Sequence, residues 1–149
     1  MSDPMAIYSA LLRETLGARL NPDAHSYVEM LAENGVVEFP YAIPGLPQRL
    51  EGRAALAAHL ERIAGMIEFT HFADMVKHET SDPEVVILEF NGFGRSVESG
   101  EPYEQRYVSV ITIHDGYVVN YKDYWNPVAA LRTLRGQAFV ESLMPGRAA

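Results

Sequence analysis

Residues 103–127, YEQRYVSVITIHDGYVVNYKDYWNP, decide the fold of this chain. Two runs rich in tyrosine, valine and isoleucine flank the dipeptide Asp115-Gly116. Asp-Gly between alternating apolar residues is the strongest short-range signal of a β-hairpin. The sequence therefore predicts two long paired strands near the C-terminal end of the chain.

The second strand of this hairpin carries a carboxylate on its predicted inner face. Alternate residues of a strand point to opposite sides, and Lys122 prefers water, so we expect the other face to be interior. That face holds Val119, Tyr121, Asp123 and Trp125. Ionising a lone acid among such neighbours is costly, which makes Asp123 a candidate catalytic acid or base. A carboxylate satisfied by a nearby Tyr, Arg or backbone amide is the structural alternative.

Composition limits the class of protein. The chain has 149 residues, no cysteine and a formal net charge of −8. These values predict a single domain over residues 1–149, without disulfides or cysteine-bound zinc, and argue against a nucleic-acid partner. No apolar run reaches membrane-spanning length, and no export signal is visible at the N-terminus. We expect a cytoplasmic protein.

Hydrophobic periodicity predicts helices followed by strands. Helices are expected over residues 4–20, 24–31 and 52–65, with apolar stripes such as Ile7, Leu11, Leu12 and Leu16 in the first. A turn at 33–35 precedes a strand at 36–41, and the Pro/Gly-rich loop 44–47 could form the rim of a pocket. Two more strands, at 68–80 and 84–95, precede the hairpin, and a last helix spans 127–134. Signals weaken beyond Gly136. This order is typical of an α+β domain whose antiparallel sheet curls around the helices and leaves a cavity.

Four short motifs resemble one superfamily. They are EFPY at 38–41, LEGR at 50–53, EFNGFG at 89–94 and NYKDYWNP at 120–127. Their order and spacing over residues 5–136 resemble the SnoaL-like polyketide cyclases, which share a cone-shaped fold with nuclear transport factor 2 (NTF2) and ketosteroid isomerase. They are particularly similar to the phenazine-biosynthesis proteins PhzA and PhzB. The resemblance implies an NTF2-like cone, with a curved antiparallel β-sheet wrapped around three N-terminal helices.

The resemblance carries over residue by residue only in part. The general-base position of ketosteroid isomerases falls at Phe39, so proton abstraction in their manner lacks its base. The acid that the phenazine proteins place on the last strand lines up with Asp123, and their helical histidine with His59. Their serine one turn later corresponds to Ile63, which cannot hydrogen-bond a substrate. The resemblance thus implies a related pocket and a different substrate.

Further candidates come from strand faces and histidine chemistry. His59 could polarise a carbonyl or carry a proton, or it could be a core-edge histidine bonded to a carbonyl. Tyr107 and Gln105 share a strand face with Tyr103, where a buried hydroxyl needs a partner; plain packing is the alternative. Glu89 could be a second acid or part of a surface salt bridge. Of two strand histidines, His71 is expected to face inward more than His78, although both could be ordinary strand residues. Seven aromatic residues could form walls for a ligand, although most are expected to be core: Phe39, Tyr41, Phe69, Phe72, Phe90, Tyr121 and Trp125.

These observations predict an enzyme that performs cofactor-free acid/base chemistry, such as isomerisation, cyclisation or dehydration, on a small apolar carbonyl-bearing or aromatic metabolite. Asp123 would move the proton, while His59 and Tyr107 would stabilise an oxyanion. No histidine pair has metal-binding spacing. Apolar residues on the outer strand face, such as Val108, Val110 and Tyr124, predict a homodimer. Non-catalytic ligand binding, scaffolding and a protein–protein module remain alternatives.

Overall fold

The predicted hairpin is present and has the predicted turn. The computed structural model describes residues 3–144, so residues 1–2 and 145–149 of the predicted domain lie outside the described part. Strands β5 (Pro102–His114) and β6 (Tyr117–Trp125) pair antiparallel. Asp115 and Gly116 between them have φ values of 50° and 83°. Positive φ at both central residues is what a type I′ turn requires, and Asp-Gly tolerates it well.

The other elements follow the predicted order. The helices are α1 (Ala6–Leu16), α2 (Tyr27–Met30), α3 (Arg53–Met66), α4 (Pro127–Arg135) and α5 (Gln137–Ser142), and a 3₁₀ turn, Gly17–Arg19, extends α1. The remaining strands are β1 (Leu31–Glu38), β2 (Arg49–Glu51), β3 (Ile67–Glu79) and β4 (Val85–Ser96). The architecture is α+β, as predicted, and β2 and α5 are additions that the sequence pattern did not reveal.

The six strands form one sheet in the order β2-β1-β6-β5-β4-β3. All neighbouring pairs are antiparallel except β1 and β6, which run parallel, so the expectation of a purely antiparallel sheet is corrected at this pair. β3 to β6 form a meander along the chain. β1 follows helix α2 in the chain and pairs with the edge of β6 that does not face β5. No hairpin connects β1 with β6, so a tight turn does not force the two strands to run antiparallel.

Bulges bend this sheet. In β3 the register shifts at Thr70 and again near Asp74, whose φ is 60°. β4 continues through Gly92 and Gly94 with no extra residue, so the bulges of this strand pair lie in β3. In β6 the extra residue is Val119, since Ile113 pairs with Val118 and Thr112 with Asn120. A bulge adds a residue to one strand, increases twist and bends the sheet.

The Val119 bulge changes which side chains reach the core. The predicted inner face included Val119, but Val118 is buried instead, together with Tyr121. Beyond the bulge the predicted alternation holds for Tyr121, Asp123 and Trp125. The strict period of two therefore fails at Val119 and at the residues before it, because a bulge reverses the facing of the side chains on one side of it relative to the other.

Helices α1, α2 and α3 pack against one side of the sheet. The buried stripe of α1 is Tyr8, Leu12 and Leu16, preceded by the buried N-cap residue Met5. Ile7, placed on the stripe by the sequence, is 46% exposed. Helix α2 is a single turn with a capping box formed by Ser26 and Glu29. The predicted turn at 33–35 is an irregular stretch inside β1, where the pairing with β6 shifts register. No helix within residues 3–144 is long and apolar enough to cross a membrane.

Candidate functional site

A cavity of about 120 Å³ lies between the helices and the inner face of the sheet. Every helix from α1 to α4 contributes to its wall, and so does the loop 44–47, through Leu46 and Pro47. Most wall side chains are apolar, and eight carry aromatic rings besides a histidine. The rings belong to Tyr8, Tyr27, Phe39, Phe69, Phe72, Tyr103, Tyr107 and Trp125. Side chains therefore leave the centre of the fold open.

Asp123 lines this cavity from β6. Its Oδ1 atom is buried and has no hydrogen-bond partner among residues 3–144. Burial disfavours the charged carboxylate and raises the pKa of Asp123 from 3.8 to about 7. With this pKa of about 7 the carboxyl group is half ionised near neutral pH, and Asp123 lines a largely apolar cavity. A carboxyl group poised in this way can both give and take a proton.

His59 lines the same cavity from α3. Its ring lies 4.9 Å from the Phe39 ring, and its Nδ1 atom is buried without a hydrogen-bond partner in the described chain. Burial, and to a lesser extent the positive charge of Arg62, lowers the pKa of His59 to about 4. The imidazole is thus neutral at physiological pH and can donate or accept a hydrogen bond without adding charge.

Tyr107 lines the cavity from β5, and its hydroxyl lies 3.2 Å from that of Tyr103. One proton serves the bond between these two hydroxyls, so the other proton is free to be donated to a ligand oxygen. Burial and the charge on Asp123 raise the pKa of Tyr107 well above its usual value, and those of Tyr8 and Tyr27 as well. All three hydroxyls are therefore protonated at neutral pH.

A second set of hydrogen-bonded hydroxyl groups lies between the cavity and the core of the sheet. Tyr121 is fully buried and donates a 2.9 Å hydrogen bond to Ser109, while its oxygen contacts the Tyr8 hydroxyl. Because Tyr121 spends its proton on Ser109, Tyr8 is the donor in the second bond. Ser109 pairs directly with Asp123 across β5 and β6. Tyr121 thus supports the wall from the core and is not itself a cavity residue.

The structure places the other predicted binding residues in three environments. Phe39 and Trp125 line the cavity with Asp123, His59 and Tyr107. Gln105 is buried outside it, where its amide bonds the backbone N–H and C=O of Asn126, both at 2.8 Å. Gln105 thereby fixes the start of α4, which supplies Ala130 and Leu134 to the wall.

Three predicted residues lie on the outer surface instead. Tyr41 is 60% exposed and packs edge-on against Tyr124. His71 is exposed and stacks on Phe93, so its expected inward orientation is corrected. Glu89 is exposed and its Oε2 lies 2.5 Å from His78 Nε2. The bulges of β3 explain the difference for His71, because each extra residue reverses the facing that simple alternation assigns.

Two aromatic cavity residues were not among those singled out from the sequence: Tyr8 from α1 and Tyr27 from α2. Phe69 and Phe72 of β3, which the sequence predicts as possible aromatic walls, also line the cavity. Tyr8 had an available signal, since Met5, Tyr8, Leu12 and Leu16 repeat at helical spacing. Among residues 3–144, no group of three or more histidine and acidic side chains is arranged to hold a metal ion.

This fold and cavity match a known class. A family model described as a SnoaL-like domain matches residues 12–121. The chain belongs to this SnoaL-like family and has the NTF2-like fold of its structural neighbours.

Individual relatives agree with this assignment. YesE of Bacillus subtilis is 37% identical over 91% of this chain and 92% of its own length. A PhzA/B-like protein of Pseudomonas aeruginosa is 36% identical over 85% of this chain and 89% of its own. A crystal structure from Bacillus subtilis, described as a candidate isomerase, is 35% identical with a TM-score of 0.73, covering 91% of this chain and 98% of that one. The resemblance to the PhzA/PhzB group is confirmed.

Proposed function

We propose that this protein is a cofactor-free acid/base enzyme that isomerises, cyclises or dehydrates a small carbonyl-bearing or aromatic metabolite. One observation carries the proposal. Asp123 and His59 each present a buried polar atom with no partner in the described chain, and both line one cavity. Burying unpartnered polar groups costs stability, so a bound substrate that satisfies them is the simplest reason for the arrangement.

The chemistry follows from the state of each group. The Asp123 carboxylate takes a proton from the carbon next to the substrate carbonyl. The electrons of the broken C–H bond form a C=C bond, and the carbonyl electrons move to oxygen. The free hydroxyl proton of the Tyr103 and Tyr107 pair, together with neutral His59, stabilises the resulting enolate oxygen. Asp123 then returns its proton to another carbon in isomerisation, or to a departing hydroxyl group in dehydration.

Cavity size limits the substrate. A volume of about 120 Å³ is somewhat smaller than an apolar cavity of roughly 150 Å³ that is known to bind benzene. We therefore propose a substrate with a single ring or an equally short chain. Phe39, Phe69 and Trp125 would hold its carbon skeleton. A multi-ring substrate requires the wall to open.

Isomerisation of a model ketone tests the proposal. The β,γ-unsaturated isomer of cyclohexenone is converted into the conjugated enone by moving one proton, and the product is followed by its ultraviolet absorbance. We expect the protein to accelerate this conversion and to catalyse exchange of the α-protons in D₂O, observed by NMR. Asp123→Asn should abolish both activities. Glu89→Gln, which removes an exposed carboxylate, is the matched control and should retain them.

A non-catalytic binding protein is the second candidate, and one observation favours it. The polar atoms of Asp123 and His59 are not bonded to each other, so the two side chains do not form a preassembled catalytic pair. Such a protein would bind single-ring ketones with the same residues, yet it would show no proton exchange above that of a solution of free acetate and imidazole. Binding without exchange across a panel of cyclic ketones and phenols would favour this candidate.

We further propose that the protein acts in the cytoplasm as a homodimer. Val108 is 39% exposed on the outer face of the sheet, beside Tyr41 and Tyr124. These side chains line a shallow depression with Arg106 and Pro127. Covering them with a second copy would remove apolar surface from water. Light scattering of the wild type and of Val108→Glu tests the dimer, which the substitution should dissociate.

A further inference from the structure

The charged groups of the cavity wall favour a positively charged ligand over a negatively charged one. Among the described residues, its wall contains one carboxylate, Asp123, and no lysine or arginine. The nearby His59 is neutral at physiological pH, because burial lowers its pKa to about 4. The ionised form of Asp123 therefore has no counter-ion among the described residues that line the cavity. An anionic ligand would meet a like charge there, whereas a cationic ligand would supply the missing partner.

Aromatic residues from β5, β6 and the helices line the same cavity as this carboxylate. Trp125 follows Asp123 by two residues on the same face of β6, and Tyr107 pairs with Trp125 from β5. Tyr8 and Tyr27 reach the cavity from the helices, and the Asp123 charge contributes to raising the pKa of both tyrosines. The faces of tyrosine and tryptophan rings attract cations, most strongly where water is excluded.

We propose that this cavity binds small organic cations of the methylated ammonium type, with Asp123 as the counter-ion and the surrounding aromatic rings as cation–π partners. A methylated ammonium is held by this combination because its charge is spread over apolar methyl groups and needs no hydrogen bond. Tetramethylammonium is comparable in size to benzene, so it falls in the same size class of ligand that the cavity of about 120 Å³ suggests for the substrate.

The cation site needs Asp123 in its ionised form, whereas Asp123 carries a proton in the second half of the proposed reaction cycle. A ligand carbonyl is recognised by the protonated carboxyl group or by the tyrosine hydroxyls, whereas a cation is recognised by the carboxylate. The inference goes beyond the proposed function and does not require turnover. If turnover exists, the cation is a competitive inhibitor, because Asp123 paired with it cannot take a proton from the substrate.

Binding of tetramethylammonium chloride tests the inference directly. Trp125 is the only tryptophan in the chain and lines the cavity, so its fluorescence reports occupancy. The titration keeps ionic strength constant by exchanging the salt for sodium chloride. Neutral tert-butanol, which has a similar shape, is the uncharged comparison. We expect saturable quenching by tetramethylammonium, about tenfold weaker or more in Asp123→Asn, and unchanged in Glu89→Gln.

The pH dependence in the wild type provides a measurement that needs no variant. The ligand itself does not titrate, and the titratable side chains facing Asp123 are His59 and the cavity tyrosines, which stay uncharged from pH 5 to 8. Affinity for tetramethylammonium should rise with pH through about 7 as Asp123 ionises. Affinity for tert-butanol should not rise.

Two results would overturn the inference: no saturable quenching by the cation at pH 8, or equal cation affinity in a folded Asp123→Asn and the wild type. Folding of the variant is checked by its circular dichroism and by retained tert-butanol binding. Failure here is separate from failure of the proposed function. Enone isomerisation without cation binding would refute only the proposed cation site. Cation binding without isomerisation would refute only the proposed enzymatic function.

Discussion

His59 and Asp123 line one cavity, and the buried Nδ1 atom of His59 and Oδ1 atom of Asp123 are not hydrogen-bonded to any of residues 3–144. The two side chains come from different elements, α3 and β6, and burial shifts their pKa values toward the uncharged form in both cases. The site is thus built to present two neutral or nearly neutral polar groups to a ligand in an apolar space.

The first prediction concerns the pH dependence of proton transfer. If Asp123 is the base, it must be ionised, so kcat/KM for enone isomerisation should rise with pH and level off above about 7. His59, with a pKa of about 4, should add no second step between pH 5 and 8. Stopped assays across this range provide the profile, with Glu89→Gln as control. A rate that falls through pH 7 would instead make Asp123 the acid.

The second prediction concerns stability. The folded-state pKa of Asp123 is about 7, whereas an unfolded aspartate has a pKa of about 3.9. Between these values the folded state holds a proton that the unfolded state has lost, so the free energy of unfolding falls as pH rises. The total loss is on the order of 4 kcal/mol. Asp123→Asn removes this loss, and its stability relative to the wild type should increase from pH 4 to pH 7.

Urea unfolding of both proteins across this range measures the difference. His59 acts with the opposite sign, because its folded-state pKa is lowered to about 4 and its contribution to stability is lost as pH falls from about 6.5. Comparing the variant with the wild type cancels the His59 contribution, since both proteins retain it. A constant difference between pH 4 and pH 7 would mean that Asp123 is solvated in the folded state.

The third prediction separates ligand binding from stability at His59. In His59→Leu the ring is replaced by an apolar side chain, and no hydrogen bond of Nδ1 is lost. We therefore expect equal or greater thermal stability. Binding of cyclic ketones should weaken by up to about tenfold, the value of one hydrogen bond. His71→Leu, at an exposed histidine that stacks on Phe93, is the matched control and should leave ketone binding unchanged.

The fourth prediction concerns the hydroxyl set behind the wall. Tyr121→Phe deletes the donor to Ser109 and the acceptor of the Tyr8 proton, all within the core. Leaving these groups unsatisfied should lower the free energy of unfolding by about 1–3 kcal/mol. Tyr124→Phe, on the outer face of the same strand, should change it by less than about 0.5 kcal/mol. Equal effects of the two variants in urea unfolding would contradict the assigned network.

The fifth prediction tests the close approach of two strands. A Cβ atom at Gly94 would overlap the Glu68 carbonyl, which belongs to the backbone of β3 and cannot move aside cheaply. Gly94→Ala should therefore cost about 2–3 kcal/mol. In contrast, a Cβ at Gly65 in α3 meets nothing within 4 Å, so Gly65→Ala should stabilise the helix by about 1 kcal/mol. Thermal unfolding of the two variants compares the opposite signs.

Most of the fold was predictable because its signals are local. Asp115-Gly116 specifies the hairpin turn, and the cap formed by Asn126 with Pro127 starts α4 as predicted. The parallel pairing of β1 with β6 was not predictable, since it joins residues far apart in the chain without a turn between them. The bulges at Thr70 and Val119 were missed for a related reason, because the residue that a bulge leaves unpaired is decided by the partner strand and not by the strand's own apolar pattern.

The sequence by itself determined that an acid stands between aromatic residues on the inner face of the last strand, because alternation along a strand is a property of the backbone. Only the tertiary structure decided that Asp123 faces an open cavity, that His59 shares it, and that Tyr41, His71 and Glu89 do not. The physical reason is that an empty volume exists only between packed elements. Its walls depend on sheet curvature and on helix placement, which no single segment of the chain encodes.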